Sequence, residues 1–213
     1  MAHVSRRGLL LGAGVVLGGT AVGLRLPVEW RGHGIHPCAT WLALPPVEAP
    51  VVLHHRPQRI LVHHTGTENT TDRSLRHAYS LARFFQDLHM VRQDWGDTGQ
   101  HFTNTRGGIL LEGRHLSLAG LGSGEWMVHG AHCPGQNGVS IGIENEGTYL
   151  TEEPPEVQWA ALVWLCAQVC LRYGIAPTEI HGHRDFYDDT VCPGDRLYAR
   201  LPRLREEVAD FLP

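Results

Sequence analysis

The chain of 213 residues contains no lysine: all 18 of its basic residues are arginine. That excludes any mechanism built on a lysine nucleophile, a lysine base or a Schiff base. A surplus of positive charge is missing too, since the formal net charge is −4, and without a basic footprint nucleic acid is not expected as a partner. Internal repeats are absent. The uncharged run from Gly8 to Leu24 is short for a membrane span and rich in glycine, which weakens it as a transmembrane helix. The length and a hydrophobic share of 42% suffice for one good core and fall short of two. Cysteine is scarce at five residues, whereas histidine is plentiful at 15.

What is present begins with Ser5-Arg6-Arg7-Gly8-Leu9-Leu10-Leu11, paired arginines directly ahead of the uncharged run. This is a secretory pattern that fits the twin-arginine route, so residues 1–24 are expected to be an export segment, with Ala21-Val22-Gly23 as a weak cleavage site. An uncleaved anchor is the alternative, and it is the one way a membrane enters the reading. Residues 25–56 are rich in Pro, Gly and His without periodicity, and read as an extended arm lying against a domain at 57–213, pinned by Cys38.

Within that domain, Ile60 to Val62 is a strand leading into His63. Asp72 is placed as the cap of a helix over Arg73–Met90, whose apolar face is Ala78, Leu81, Ala82, Phe85 and Leu88. Trp95 to Gly99 reads as a loop, and His101–Asn104 with Ile109–Glu112 as a hairpin around Gly107-Gly108. Alternating apolar residues from Val139 to Ile143 mark a buried strand ending in Glu144 and Glu146. Pro154-Pro155 opens a helix that Gly174 stops, Ile180–Gly182 is a short strand delivering His183, and a last helix runs from about Pro202 to Phe211. Strands alternating with helices predict an α/β fold, one domain with a mixed central β-sheet flanked by helices on both faces.

The chemistry concentrates in His181-Gly-His183-Arg-Asp185 and Thr190-Val-Cys192-Pro-Gly194. An imidazole and a thiolate nine positions apart suit half of a Zn²⁺ site, because zinc takes nitrogen and sulfur ligands and, when catalytic, keeps one position for water. His63, at a strand's tip, is the best further donor. His181 shares a strand face with His183 and is an alternative ligand. Asp185 reads as an orienting or salt-bridging carboxylate.

Taken together, His63-His64-Thr65, Gly99-Gln100-His101-Phe102, Glu112-Gly113-Arg114, Gly130-Ala131-His132, Ser140-Ile141-Gly142-Ile143-Glu144, His183-Arg184-Asp185 and Cys192-Pro193-Gly194 resemble the zinc-dependent N-acetylmuramoyl-L-alanine amidases. More broadly they are similar to the peptidoglycan recognition protein superfamily. The match runs from about Pro57 to Arg200. The resemblance implies a groove for peptidoglycan, Zn²⁺ as cofactor, and hydrolysis of the amide between the muramic acid lactyl group and L-alanine. It carries His63, His183 and Cys192 over as ligands, Glu144 as base and Thr190 as an oxyanion-stabilising hydroxyl. Gln100, His132, His64 and Asn137 are then substrate-contacting candidates. Many recognition-type amidases carry tyrosine where this chain has Gln100, and an amide cannot act as a base.

Plainer readings stand beside these. His64 points to the opposite side of the strand from His63 and is expected to support or pack rather than ligate. Glu146 shares a strand face with Glu144 and is the alternative base. A module that binds peptidoglycan without cutting it is the first competing function. A cysteine peptidase using Cys192 with His183 is the second, though the proline after Cys192 removes a backbone N–H. Cys38, Cys133, Cys166 and Cys170 allow disulfides in an exported protein. Two bridges, each from the Cys166/Cys170 pair to Cys38 or Cys133, are favoured over buried thiols. A secreted or envelope-associated monomer is expected.

Overall fold

The computed structural model describes residues 34–213. The expected export segment and residues 25–33 of the arm lie outside the described residues. In order along the chain come β1 (Ile35–His36), β2 (Val52–Leu53), β3 (Arg59–His64), α1 (Leu75–Asp87), β4 (Phe102–Asn104) and β5 (Leu110–Glu112). They are followed by α2 (Ser117–Ser123), β6 (Met127–Val128), β7 (Ser140–Asn145), α3 (Glu156–Tyr173), β8 (Ile180–Gly182), α4 (Asp195–Ala199) and α5 (Leu201–Ala209). Among the described residues no helix is long and apolar enough to cross a membrane.

Six strands form one mixed sheet in the order β1-β5-β4-β7-β3-β8, while β2 and β6 pair as a separate antiparallel ribbon. β3 runs parallel to β7 on one side and to β8 on the other, and β4 is parallel to β7 but antiparallel to β5. A central parallel strand is covered on both faces, so its sequence reads as an apolar run instead of an alternation. Ile60, Leu61 and Val62 accordingly have no exposed surface. On β5 the period of two is visible: Leu110 joins the core against α3, and Leu111 joins a second cluster with Ala78 and Ala82 of α1. The expected mixed sheet with helices on both faces is what forms.

α3 is apolar nearly all round, burying Trp159, Leu162, Leu165, Cys166, Val169 and Cys170 among others. A helix of that composition belongs inside a core. It ends as expected at Gly174, whose φ of 74° is the left-handed turn that glycine accepts freely. α1 starts later than expected. Ser74, not Asp72, is its cap, accepting from His77 N–H at 3.2 Å, while Asp72 Oδ1 receives the Ser74 N–H at 2.9 Å one step upstream. The helix also ends at Asp87 and widens over Leu88–Arg92, where Gln93 N–H reaches Leu88 O at 3.1 Å.

The described part of the arm is less extended than its composition suggests. β1 adds to the sheet beside β5, and a 3₁₀ turn over Cys38–Trp41 buries Trp41 completely, with its indole N–H on Glu112 O at 3.0 Å. Cys38 does pin it, but as a thiol: its N–H donates to Glu112 Oε2 at 3.0 Å and its Sγ to Gly113 O at 3.4 Å. The expected bridges do not form, since all five cysteines are free. Cys166 and Cys170 sit in the core cluster on the α3 face, and Cys38 in the cluster on the α1 face. The sheet separates them, and a disulfide needs Cα atoms within about 7 Å.

Candidate active site

Three neighbouring elements converge at the C-terminal ends of the parallel strands. β3 delivers His63, the turn after β8 delivers His183, and the loop before α4 delivers Cys192. One ligand-type atom from each lies within 4.8 Å of the others. His63 Nδ1 is the nitrogen facing the sulfur, at 3.7 Å from Cys192 Sγ. Zinc bonds of about 2.1 Å to nitrogen and 2.3 Å to sulfur at a tetrahedral angle place the two atoms about 3.6 Å apart. The pair therefore already spans a tetrahedron's edge, and the donor set fits a divalent metal of zinc's kind.

The turn that carries His183 is tied down by its neighbours. Asp185 Oδ2 accepts the Gly182 N–H at 2.9 Å and its Oδ1 accepts the Tyr198 hydroxyl at 2.5 Å. Arg184 bridges to Asp195 at 2.8 Å, and its backbone N–H donates to Cys192 O at 3.0 Å, joining two ligand-bearing segments. His181 turns away to Glu179, at 3.4 Å, and takes no part in the cluster. A 3₁₀ turn at His183–Asp185 interrupts the strand alternation that would have given the two histidines one face.

Around the three residues lies a cleft of about 310 Å³ that His64, Gln100, His132, Glu144 and Thr190 also line. Glu144 pairs in register with His63 across β7 and β3, so both side chains rise from the same face of the sheet. Thr190 Oγ1 accepts the Cys192 N–H at 3.1 Å, leaving its O–H free to donate. Gln100 Nε2 donates to Thr103 Oγ1 at 2.9 Å, while its Oε1 is buried without a partner. His64 supports the site through its backbone, its N–H pointing at Cys192 Sγ at 3.3 Å.

Two expected residues lie elsewhere. Asn137 stays out of the cleft: its Oδ1 accepts the N–H groups of His132 and Cys133, at 2.7 and 2.9 Å, and so clamps the loop that carries His132. Glu146 is buried beneath the strand end, with Oε1 on His77 Nε2 at 2.5 Å and Oε2 on Arg106 N–H at 2.7 Å. It has no free face and cannot serve as a base in the cleft. Sequence reasoning missed one wall of the cleft, formed by Trp95 stacked on His89 at 4.8 Å. The available signal was a tryptophan in a polar, glycine-bearing loop, where core packing does not call for one.

The electrostatics favour metal binding over thiol chemistry. Burial and the neighbouring imidazole of His183 hold His63 well below the ordinary histidine range, and burial also lowers His183. Neutral imidazoles are the form that ligates. Burial pushes the Cys192 thiol up to about 12, the His64 N–H only partly offsetting it. Without a cation that sulfur stays protonated, which argues against a cysteine nucleophile. Burial likewise lifts the Glu144 carboxyl to about 7.

A family profile described as N-acetylmuramoyl-L-alanine amidase matches residues 53–195. Among curated proteins, peptidoglycan-recognition protein LB of Drosophila melanogaster is 34% identical over 120 residues, covering 56% of this chain and 47% of that protein. The chain thus spans about half the length of that relative. Among solved structures, peptidoglycan recognition protein-LE in complex with tracheal cytotoxin superposes with a TM-score of 0.68 at 26% identity, over 79% of this chain and 92% of that one. The amidase LysC from Clostridium intestinale shares the fold at a TM-score of 0.64 and 21% identity, over 83% and 98%.

Proposed function

From the premise that the chain belongs to the N-acetylmuramoyl-L-alanine amidase family, we propose that it is a zinc-dependent hydrolase of peptidoglycan. The bond cut is the amide between the lactyl group of N-acetylmuramic acid and the L-alanine that begins the stem peptide. The observation that carries this reading is the His63–His183–Cys192 trio standing in one cleft with Glu144, a carboxyl that has no hydrogen-bond partner among the described residues.

His63, His183 and Cys192 hold the metal. Bound zinc supplies Lewis acidity that polarises a carbonyl and makes water more acidic. Glu144 takes a proton from the attacking water at its carboxylate and later gives it to the leaving amine of L-alanine. Burial raises its ionisation above the ordinary carboxylate range, the direction that suits a group that must both take and return a proton. The Thr190 hydroxyl donates to the oxygen that gains charge as the carbonyl is attacked. Trp95 offers a flat apolar wall for a sugar or peptide. Export by the twin-arginine route, with peptidoglycan as the partner outside the cytoplasm, belongs to the same reading and rests on Ser5–Leu24.

A second reading is recognition without cleavage, and Gln100 is the observation that favours it, because many related amidases carry tyrosine there. The experiment that separates the two is mass spectrometry of purified peptidoglycan incubated with the protein, with and without a chelator. Stem peptides beginning at L-alanine, lost on chelation and restored by zinc, support the amidase. Glycan that is bound and left intact supports recognition alone.

A further inference from the structure

We infer that His132 is a positioning residue for His63. It accepts the His63 Nε2–H and so holds the imidazole in the tautomer whose Nδ1 is free for the metal; this rests on the metal site proposed above. His63 Nε2 and His132 Nδ1 are 3.0 Å apart, and the rings meet edge-on at 5.0 Å between centroids. At the other end of the His63 ring, Nδ1 faces Cys192 Sγ at 3.7 Å. A neutral imidazole carries one N–H. If Nδ1 is to bind a metal, that proton sits on Nε2 and points at His132. A metal-ligating histidine commonly gives its other N–H to a fixed acceptor that sets its tautomer and orientation. Here the acceptor is a second imidazole, drawn from a loop instead of a carboxylate or a carbonyl.

The surroundings are built to seat that ring. A Cβ on Gly142 would stand 2.5 Å from His132 Cγ, and one on Gly130 would stand 2.7 Å from His132 Cδ2. Both distances are inside van der Waals contact, so the imidazole lies against two bare stretches of backbone. Asn137 fixes the loop by accepting the His132 N–H at 2.7 Å, and Gly130 N–H donates to Asn137 O at 2.9 Å. Behind the ring stands His101, with centroids 5.4 Å apart. Both His101 nitrogens are already engaged, Nε2 with Val128 O at 2.9 Å and Nδ1 with Gly142 N–H at 3.0 Å. His101 therefore acts as a wall and competes for neither nitrogen of His132. His132 Nε2 makes no hydrogen bond of good geometry, the backbone of Ser140 being the other polar group that reaches the ring, so Nδ1 is left to face His63.

The test uses ¹⁵N-labelled histidine and long-range ¹H–¹⁵N spectra of the metal-free protein, together with zinc affinity measured by competition with a chromophoric chelator. In the wild type, His63 is expected as the Nε2–H tautomer before any metal is added. His132→Ala should lose that tautomer preference and weaken zinc by about 10- to 100-fold. His132→Asn places Oδ1 where Nδ1 stood, and should restore both. Where the alanine variant fails to fold, His132→Asn carries the test alone: retention of the wild-type tautomer and affinity supports the inference. An Nδ1–H tautomer in the wild type overturns it, as does a His132→Ala variant with wild-type zinc affinity, or a His132→Asn variant that behaves like the alanine variant. A wild type that binds no zinc would defeat the metal reading, while the metal-free tautomer would still decide the hydrogen bond.

Discussion

The cleft beside His63 and the polar layer beneath the end of β7 treat the same side chain in opposite ways. Glu144 and Glu146 are two residues apart on one chain segment; Glu146 is fully buried, and Glu144 is half-buried at the wall of the cleft. Glu146 is saturated: His77 holds one oxygen at 2.5 Å and the Arg106 N–H holds the other at 2.7 Å. Around it the Tyr149 hydroxyl and Gln158 Nε2 meet the Glu146 carbonyl, and Asn104 Nδ2 donates to Asn145 Oδ1 at 2.8 Å. Glu144 has no such partner, and burial lifts its carboxyl to about 7. A satisfied carboxylate organises its surroundings, whereas one with no protein partner, facing a cleft, is open to exchange a proton.

The largest expected effect tests whether that difference is one of role. Glu144→Gln should keep the cleft's shape and its zinc, and lower turnover by on the order of 10² or more, the usual contribution of a positioned base. Amidase assays with zinc content measured on the same samples check it. Turnover within a few fold of wild type would remove Glu144 as the base and collapse the contrast.

How much of this could be read from the sequence divides along the same line. The strand ending in Glu144 was legible from its alternation, and α3 from its proline start and glycine stop. That His63, His183 and Cys192 would come together was legible through residue blocks spread over the chain. Glu146 was not assignable, because what removes it from the cleft is His77, 69 residues away on α1. The same holds for His132, whose partner His63 is equally distant. The two-residue strands β1 and β2 escaped because so short a segment carries no period, and each exists only through its neighbour: Ile35 opposite Leu110, and Val52 opposite Val128. Cys38 misled because a disulfide and a thiol hydrogen bond draw on the same residue, and only the intervening sheet tells them apart.

A second prediction concerns pH. With zinc kept saturating, turnover should fall about tenfold per unit on the acid side of one ionisation that lies above the ordinary glutamate value of 4.5. Burial alone would set it at about 7, and a bound cation pulls it down from there. Glu146→Gln should leave this limb in place. A limb that moves with Glu146 and not with zinc would assign the titration to the wrong carboxyl.

The third prediction inverts the first. Glu146→Gln removes the charge and turns one oxygen into an NH₂ that clashes donor against donor with the Arg106 N–H, or faces His77 and pairs there only if that imidazole presents a bare Nε2. Losing a buried charged hydrogen bond in this way costs about 2 kcal/mol, or a fall in Tm of roughly 4–8 °C for a chain of this size. Turnover per folded molecule should stay near wild type. Thermal melts and active-site-normalised rates check both halves, and a stable but inactive Glu146→Gln variant would erase the distinction between the sites.

The smallest effect is the stability that Glu144 withholds in the metal-free protein. Its folded pKa, about 7, lies above the ordinary value of 4.5. Between those pH values the folded chain binds more protons than the unfolded one, so this group's contribution is whole below 4.5 and is lost as pH rises towards 7. The histidines of the cleft act in the opposite sense: burial lowers His63, His132 and His183, and their contribution is lost as pH falls below the ordinary histidine value. Because the two slopes oppose each other, the wild-type curve alone does not isolate the carboxyl. The difference between Glu144→Gln and wild type does, since glutamine has no ionisation. That difference should be near zero at pH 4.5 and grow in favour of the variant to about 1 kcal/mol above pH 7, the full pKa shift being discounted because the cleft partly wets the carboxyl. Denaturant midpoints collected across that range in the presence of chelator measure it. A difference that stays flat with pH would mean that water or a neighbouring group satisfies Glu144 in the metal-free state, as His77 and Arg106 satisfy Glu146.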